Sequence, residues 1–303
     1  MVLVDAGDAL SRVWPSALEE KDRPNAEKRA AFLLEQMGVL GYAALAVGER
    51  ELLFAPADLA KRAAQAKVAL LAANLTDAKG AKPFAGRTMV TAGGRRVGIF
   101  AVCEGGEYER AGLKVGPALE AAQAQADLLR KEGAQLVIGL LHVPYSSALH
   151  IGGSLTGVDY VVQSHDGRPV LVQQAGATVF AGGGARGQSV GRAVFSLDGK
   201  GPLFLVPDTS QVEESLREHQ RQAVEMQAAL EKSTVPEEKV RLTRVVQAAR
   251  KRTEELKATL VARPPAGRRA VKTDELRLNA RVADEPAMKK AQEAALAAAP
   301  ERR

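Results

Sequence analysis

The sequence predicts an α/β domain followed by an antiparallel helical hairpin. Up to about residue 206, short apolar runs typical of buried strands alternate with longer helix-like segments, which is the pattern of a layered α/β fold. From residue 210, apolar positions recur every three or four residues in two runs of similar length, separated by a short turn. We therefore divide the chain into an α/β domain (1–206), a hairpin (207–261) and an Arg-, Pro- and Ala-rich linker with a terminal helix (262–303).

The first half of the α/β domain opens with the short apolar strand MVLV. Residues 25–37 are predicted to form a helix, because Asn25 can cap its start and Gly38 can stop it. A second helix, DLAKRAAQAK, is followed by the apolar strand VALLAANL. A β-hairpin comes next, in which the turn Gly93–Gly94 joins GRTMVTA to RRVGIFAV.

The second half begins with an Ala-rich helix over residues 116–132, which Gly133 ends. The runs QLVIGLLHV and DYVVQSH are apolar at successive positions, as expected of strands buried on both faces. Three further strands are PVLVQQA, TVFAGGG and SVGRAVFSL. Because aromatic residues make up only 4% of the chain, the core must consist mainly of Ala, Val and Leu.

The hairpin is predicted from two matched apolar seams. Their positions are Val212, Leu216, His219, Ala223, Met226 and Leu230 in the first helix, and Leu242, Val246, Ala249, Thr253, Leu256 and Leu260 in the second. The seams are narrow and contain Ala, Thr and His, so two interpretations stay open. The hairpin either packs on the main domain or acts as a protruding coiled coil that binds a protein partner or a second copy.

Composition excludes several classes of protein. The single cysteine, Cys103, excludes an internal disulfide framework and a Cys-based zinc site, and its apolar surroundings predict a buried thiol. Positive and negative charges are interleaved despite the net charge of +6, so no basic stripe suits a nucleic acid. The sequence contains no run of 18 apolar residues, so no membrane span is predicted, and no signal peptide is recognisable. The absence of CxxCH excludes attached haem.

Three predicted strands end in a potential metal ligand. The first leads into Asp5 and Asp8, and two later strands end at His142 and His165. Because ligands bind at the carboxyl ends of strands in α/β sheets, these side chains could converge on one ion. A carboxylate and two imidazoles suit zinc, manganese or iron. The alternative is that each histidine is a hydrogen-bonded residue at a strand end, and the residues alone leave both interpretations open.

Seven segments, in order, resemble the 5′-nucleotidase branch of the calcineurin-like metallophosphoesterases. They are VLVDAGDALS, GVLGYAALAVGERELLFAPADLAKRA, VALLAANL, GRRVGIFAV, GAQLVIGLLH, GVDYVVQSHDGRP and GQSVGRAVFSLDG. The resemblance covers residues 1 to about 206 and implies a two-sheet α/β sandwich that hydrolyses phosphate esters, with nucleotides as the ancestral substrates, by means of a metal-activated water. It also implies an exported, periplasmic protein if the true start lies upstream.

The resemblance assigns four candidate metal ligands. Asp8 falls on the aspartate that bridges two metal ions in the family, and His142 and His165 fall on the two histidines that bind the second of those ions. Glu49 stands where the family has an asparagine ligand, and a carboxylate can replace that amide oxygen. These residues imply at most one divalent ion, either Zn, Mn or Fe.

Other family positions differ, which implies a degenerate site. The first motif, Asp-x-His, is absent, as expected if the chain starts after it, and Gly167 replaces the last histidine of Gly-His-x-His. Arg50 stands at the catalytic histidine and cannot act as a general acid, because it keeps its proton near neutral pH. Arg50 is therefore a catalytic candidate by position alone. It could bind a phosphate oxygen, or it could simply pair with Glu49 or Glu51.

Two functions follow as hypotheses. The first is a 5′-nucleotidase-like phosphoesterase domain with weak or lost activity and a phosphate-ester or nucleotide ligand. The second is a non-catalytic binding or scaffolding module that interacts through the hairpin.

Overall fold

The computed structural model describes residues 1–167, 170–182, 187–207, 209–260, 265–279 and 282–300. The chain divides into two compact units. One comprises Met1–Arg192 with Glu275–Arg303, and the other comprises Ala193–Asp274. In the described part of the chain, no helix is both long enough and apolar enough to cross a bilayer.

The first unit contains two main sheets. Its elements in chain order are β1 (Leu3–Asp5), α1 (Arg23–Leu40), β2 (Tyr42–Ala46), α2 (Pro56–Ala66), β3 (Ala69–Leu71), β4 (Leu75–Asp77), β5 (Arg87–Ala92), β6 (Arg95–Cys103), α3 (Glu107–Arg110), β7 (Leu113–Val115), α4 (Ala118–Lys131), β8 (Leu136–His142), α5 (Tyr145–Ser154), β9 (Tyr160–Ser164), β10 (Gln173–Ala175) and β11 (Thr178–Gly182). One sheet has the parallel order β1-β2-β3. The larger has the order β10-β11-β9-β8-β6-β5, and β4 and β7 form a separate two-stranded sheet.

The two sheets pack face to face as a sandwich with helices on both outer sides. Strands β2 and β3 contact β5, β6 and β8 across the interface. Helices α1 and α2 cover the small sheet, where Ala30, Leu34 and Leu59 pack with Leu45. Helices α4 and α5 cover the large sheet in the same way. The core is built mainly from Ala, Val and Leu, as the low aromatic content predicts.

The arrangement of the parallel strands positions the candidate ligands. Strands β6, β8, β9 and β11 run parallel, and only the edge strands β5 and β10 are antiparallel. In each of the two main sheets, the carboxyl ends of all parallel strands therefore lie on the same side. The loops after β1, β2, β8 and β9 leave from these ends, and such ends are where α/β sheets bind ligands.

The second unit is built around the helical hairpin. Its elements are β12 (Ser189–Ser196), β13 (Lys200–Val206), α6 (Ser210–Lys232), α7 (Pro236–Thr259) and β14 (Arg268–Arg277), of which β12 and β14 cross the unit boundary. The predicted antiparallel pair of helices is present. Val246 and Leu256 are buried, Met226 is half-buried, and Arg250 donates a hydrogen bond to Gln227 across the pair.

The structure differs from the sequence prediction in three places. The first helix begins at Arg23, before Asn25, with Pro24 in its first turn, and it continues past Gly38 to Leu40, where Gly41 caps it. The strand expected to close the α/β domain, β12, instead lies in a three-stranded sheet of order β12-β14-β13. The expected linker contains β14. Its charged residues give no strand pattern in the sequence, and the strand with which it pairs, β13, lies about 70 residues earlier. The terminal helix is present as α8 (Pro286–Ala298).

Candidate metal centre

His142 is the last residue of β8, and its side chain is fully buried. The Nδ1 atom lies 2.9 Å from the carbonyl oxygen of Ala6, so Nδ1–H donates to that oxygen. This hydrogen bond fixes the tautomer and leaves an unprotonated Nε2 facing the other candidate ligands. Burial lowers the pKa of His142, which further favours the neutral imidazole.

His165 follows β9 directly and is held in an unusual backbone conformation, with φ of +131°. Its Nδ1 lies 3.4 Å from Nε2 of His142 and 3.5 Å from Oε2 of Glu49. The two imidazole rings meet edge to face, with centroids 5.2 Å apart. Backbone strain of this kind is typical of functional sites.

Glu49 begins a 3-10 turn, Glu49–Leu53, that follows β2. Its side chain is only 4% exposed, and burial raises its pKa. Oε1 accepts the backbone N–H of Glu107 at 3.2 Å, whereas Oε2 is buried and has no hydrogen-bond partner. The carboxylate also lies against Gly105, where a Cβ atom would approach Oε1 to 2.2 Å, so glycine is required there. The unpaired oxygen is directed at the two histidines.

The side chains of Glu49, His142 and His165 fit a divalent cation. Their ligand atoms all lie within 4.8 Å of one another, and they form the group of potential ligands found among the described residues. Two imidazole nitrogens and one carboxylate oxygen suit zinc, manganese or iron. A cation between them would satisfy the orphaned oxygen and would be bound by one nitrogen of each imidazole. We refer to these three residues as the triad.

Asp8 lies beside the triad but not within it. Its Oδ1 is 3.6 Å from Nε2 of His142, yet the same oxygen accepts the backbone N–H of Arg50 at 2.9 Å. Oδ2 forms an ion pair with Nε of Arg50 at 3.4 Å. Like His165, Asp8 has a positive φ, here +67°. The structure therefore brings three of the four sequence-predicted ligands together, whereas the fourth, Asp8, is paired with Arg50.

Arg50 occupies a position between Asp8 and an aromatic ring. Its guanidinium lies 4.9 Å from the ring centroid of Trp14, and its Nε atom is buried with no hydrogen-bond partner. The ion pair is thus with Asp8, and not with the glutamates on either side of Arg50. Gly167, which replaces a histidine of the family motif, has φ of +62°, and among the described residues no atom lies within 4 Å of a Cβ added to it. Without a side chain, Gly167 contributes no metal ligand.

Glu51 and Asp5 are buried carboxylates close to the centre. The Glu51 carboxylate accepts four backbone N–H groups from the loops that carry Asp8 and Glu49. Burial and the nearby Asp8 raise its pKa, whereas the hydrogen bonds from the backbone of Asp8 and Leu10 lower it. Since each oxygen accepts two N–H donors, the geometry favours the ionised carboxylate. Burial raises the pKa of Asp5 to about 6, and its carboxylate accepts the N–H of Gly7 at 2.9 Å. Sequence reasoning missed the role of Glu51, for which the only signal was its position in GERE.

Two glycines allow the loops to approach closely. A Cβ atom on Gly7, where φ is +99°, would lie 2.8 Å from Nδ1 of His142. A Cβ atom on Gly48 would lie 2.6 Å from Oδ1 of Asp8. Glycine at both positions is therefore a condition for the observed spacing of Asp8, Glu49 and His142.

An open cleft of about 530 Å³ borders the triad. It is lined by Trp14, Ser16, Ala17, Glu49, Gly105, Gly106, Glu107, Arg110 and His165. Two of the triad residues thus face a space large enough for a small organic phosphate. Cys103 takes no part in the cleft, since it is buried, and burial raises its pKa to about 12. The sequence prediction of a buried thiol is confirmed.

No protein-family model matches the sequence, and no curated protein matches it. Solved structures do match. Thermus thermophilus sulfate thiohydrolase SoxB, in complex with glycerol, has a TM-score of 0.53 and 18% identity over 65% of this chain and 36% of that chain. The calcineurin-like phosphoesterase YfkN from Bacillus subtilis has a TM-score of 0.50 and 13% identity over 63% of this chain and 70% of that chain.

A 5′-nucleotidase precursor from Thermus thermophilus also matches, with a TM-score of 0.47 and 21% identity over 63% of this chain and 41% of that chain. The chain spans less than half the length of SoxB and of this precursor. The structural matches to SoxB and YfkN confirm, at the level of the fold, the resemblance found in the sequence.

Proposed function

We propose that this chain, which has the calcineurin-like phosphoesterase fold, binds a single divalent metal ion through Glu49, His142 and His165. The observation that carries the proposal is the buried, unpaired Oε2 of Glu49 facing two imidazole nitrogens at the edge of an open cleft. A buried carboxylate oxygen without a partner is costly, and a bound cation removes that cost. The ion would be Zn, Mn or Fe, as the donor set favours.

The ligand proposed for the cleft is a phosphate ester, with nucleotides as the ancestral substrates. A bound ion would supply Lewis-acid polarisation of a phosphoryl oxygen and a lowered pKa for a coordinated water. Arg50 adds a permanent positive charge next to Asp8, and its guanidinium can donate to a phosphate oxygen. The guanidinium lies over the ring of Trp14, which stabilises its position through a cation–π contact.

Turnover should be very slow. Arg50 cannot donate a proton to the leaving group at neutral pH, and general acid catalysis is typically worth about 10²–10⁴-fold. Gly167 supplies no ligand for a second ion, so charge on the transferring phosphoryl group is offset less than in a two-metal site. We therefore infer a degenerate phosphoesterase that binds more readily than it hydrolyses.

The test is an activity assay on the full chain with nucleoside monophosphates and p-nitrophenyl phosphate in excess Mn²⁺ or Zn²⁺. We expect hydrolysis near the limit of detection while calorimetry detects binding of the metal. Robust turnover that His165→Ala abolishes would contradict the degenerate assignment and favour a working one-metal enzyme. Absence of metal binding would contradict the metal centre itself.

A second candidate function is a scaffold that binds protein through the hairpin. It is favoured by three exposed valines on the helical hairpin: Val224, Val235 and Val240 are 70%, 51% and 55% exposed. Isolated apolar residues are common on surfaces, but three on one hairpin can take part in a contact with a partner. We expect light scattering to give a concentration-dependent mass that a Val224→Ser and Val240→Ser variant loses. A stable monomer would contradict self-association.

A further inference from the structure

Glu51 joins the two loops that carry the acidic side chains of the centre. Its side chain is fully buried, and Oε2 accepts the backbone N–H groups of Asp8 at 2.7 Å and Gly48 at 2.8 Å. Oε1 accepts those of Ala9 at 2.7 Å and Leu10 at 3.0 Å. Three of these four hydrogen bonds connect residues more than 40 positions apart in the sequence.

These hydrogen bonds hold a strained segment in place. The loop after β1 passes through Gly7 at φ of +99° and Asp8 at φ of +67°, a backbone conformation that is strained for a non-glycine residue. A conformation of this kind persists only if its surroundings impose it. The fully bonded carboxylate of Glu51 is such a constraint, because charge-assisted hydrogen bonds are stronger than neutral ones.

Glu51 itself is not placed to bind a metal ion. Each of its oxygens already accepts two N–H donors, and its carboxylate is absent from the triad. Packing alone does not explain the presence of Glu51 either. Burial of a carboxylate costs free energy unless hydrogen bonds compensate for it, and an apolar side chain would fill the same space without that cost. The remaining role is to fix the positions of the neighbouring loops.

We propose that Glu51 is a positioning residue for the metal centre: it fixes the loop after β1 against the turn after β2, so that Asp8 and Glu49 lie beside His142. The inference rests on the proposed function, since it assumes that the triad binds an ion. It extends that function, because it attributes part of the affinity for the metal ion to a residue that does not contact the ion.

Glu51→Gln is the most informative substitution, because it keeps the size of the side chain. Glutamine has one acceptor oxygen, and its NH₂ group would face N–H donors, so two of the four amides would lose their partner. The matched control is Asp159→Asn. Asp159 is also buried, accepts the N–H of Val137 at 2.8 Å and pairs with Arg130 at 2.5 Å, away from the triad.

Two readouts on the full chain test the proposal. Calorimetry with Mn²⁺ and Zn²⁺ should show affinity about 10–100-fold weaker in Glu51→Gln, as for other outer-shell partners of metal ligands, and unchanged in Asp159→Asn. Amide hydrogen exchange should accelerate at residues 8–10 and 48 in Glu51→Gln only. A folded Glu51→Gln variant with wild-type affinity and wild-type exchange would overturn the proposal.

The remaining outcomes are also decisive. If the wild-type chain binds no ion, the proposed metal site fails, and the exchange data alone decide whether Glu51 fixes the loops. If Glu51→Gln does not fold, Glu51→Asp, which keeps the charge, is measured in the same way. If neither variant folds while Asp159→Asn does, Glu51 is a requirement of folding, and the positioning role is overturned.

Discussion

The two sides of the candidate centre differ in how their charges are satisfied. On the triad side, Glu49 has an unpaired oxygen, and two imidazole nitrogens face each other at 3.4 Å. On the opposite side, the carboxylate of Asp8 is neutralised by Arg50. The first side leaves a buried carboxylate oxygen without a hydrogen bond, whereas the second side contains its own cation, Arg50. An arginine offsets the charge of a carboxylate, but it offers no open coordination positions and cannot polarise a bound water as a metal ion does.

The largest effect should come from removing a triad ligand. We expect His165→Ala to weaken binding of Zn²⁺ or Mn²⁺ by about 100-fold or more, because loss of outer-shell partners alone costs about 10–100-fold. His150→Ala is the matched control, since His150 is exposed on α5 and lies outside the triad. Calorimetry of both variants tests this. Equal affinities in the two variants would mean that the triad side is not the metal site.

A smaller effect should follow from crowding His142. In Gly7→Ala the added Cβ would lie 2.8 Å from Nδ1 of His142, and the backbone has a positive φ. Gly41 also has a positive φ, of +76°, but no neighbouring atoms lie within 4 Å of an added Cβ. The left-handed conformation alone costs about 1–2 kcal/mol, so Gly41→Ala should lose that amount of unfolding free energy.

Gly7→Ala should lose about 2 kcal/mol more than Gly41→Ala and should also weaken metal binding, because the ring must move. Denaturant unfolding and calorimetry measure the two effects. If both variants lose the same stability and Gly7→Ala retains wild-type affinity, the contact between Gly7 and His142 has no bearing on the triad.

The smallest effect, and the one of opposite sign, is expected for Arg50→Gln. Removing a positive charge beside Asp8 should strengthen metal binding by about tenfold, the order expected for one charge a few ångströms from a partly exposed site. It would also free the carboxylate of Asp8, whose Oδ1 is 3.6 Å from His142, to approach the ion.

Arg110→Gln is the control for Arg50→Gln, because Arg110 lines the cleft but pairs with Glu107. Its affinity for Mn²⁺ should stay close to that of the wild type. Weaker binding in Arg50→Gln would indicate that Arg50 serves mainly to orient Asp8, and would contradict the view that it competes with the ion.

The sequence predicted those features that depend on local pattern. Buried strands, the helical hairpin and the positions of Asp8, His142 and His165 at strand ends follow from periodicity and from the topology of parallel sheets. The contacts of Glu51 and the stacking of Arg50 on Trp14 could not be predicted, because they join residues about 35–45 positions apart. The strand β14 was missed for the same reason, since a distant partner stabilises a charged segment.

The most direct test of the metal centre is the metal content of the purified full chain after exposure to Zn²⁺ or Mn²⁺ and removal of free ions. We expect one ion per chain in the wild type and in His150→Ala, and none in His165→Ala. Two ions per chain would contradict a centre that holds a single ion. No ion in the wild type would contradict the metal centre.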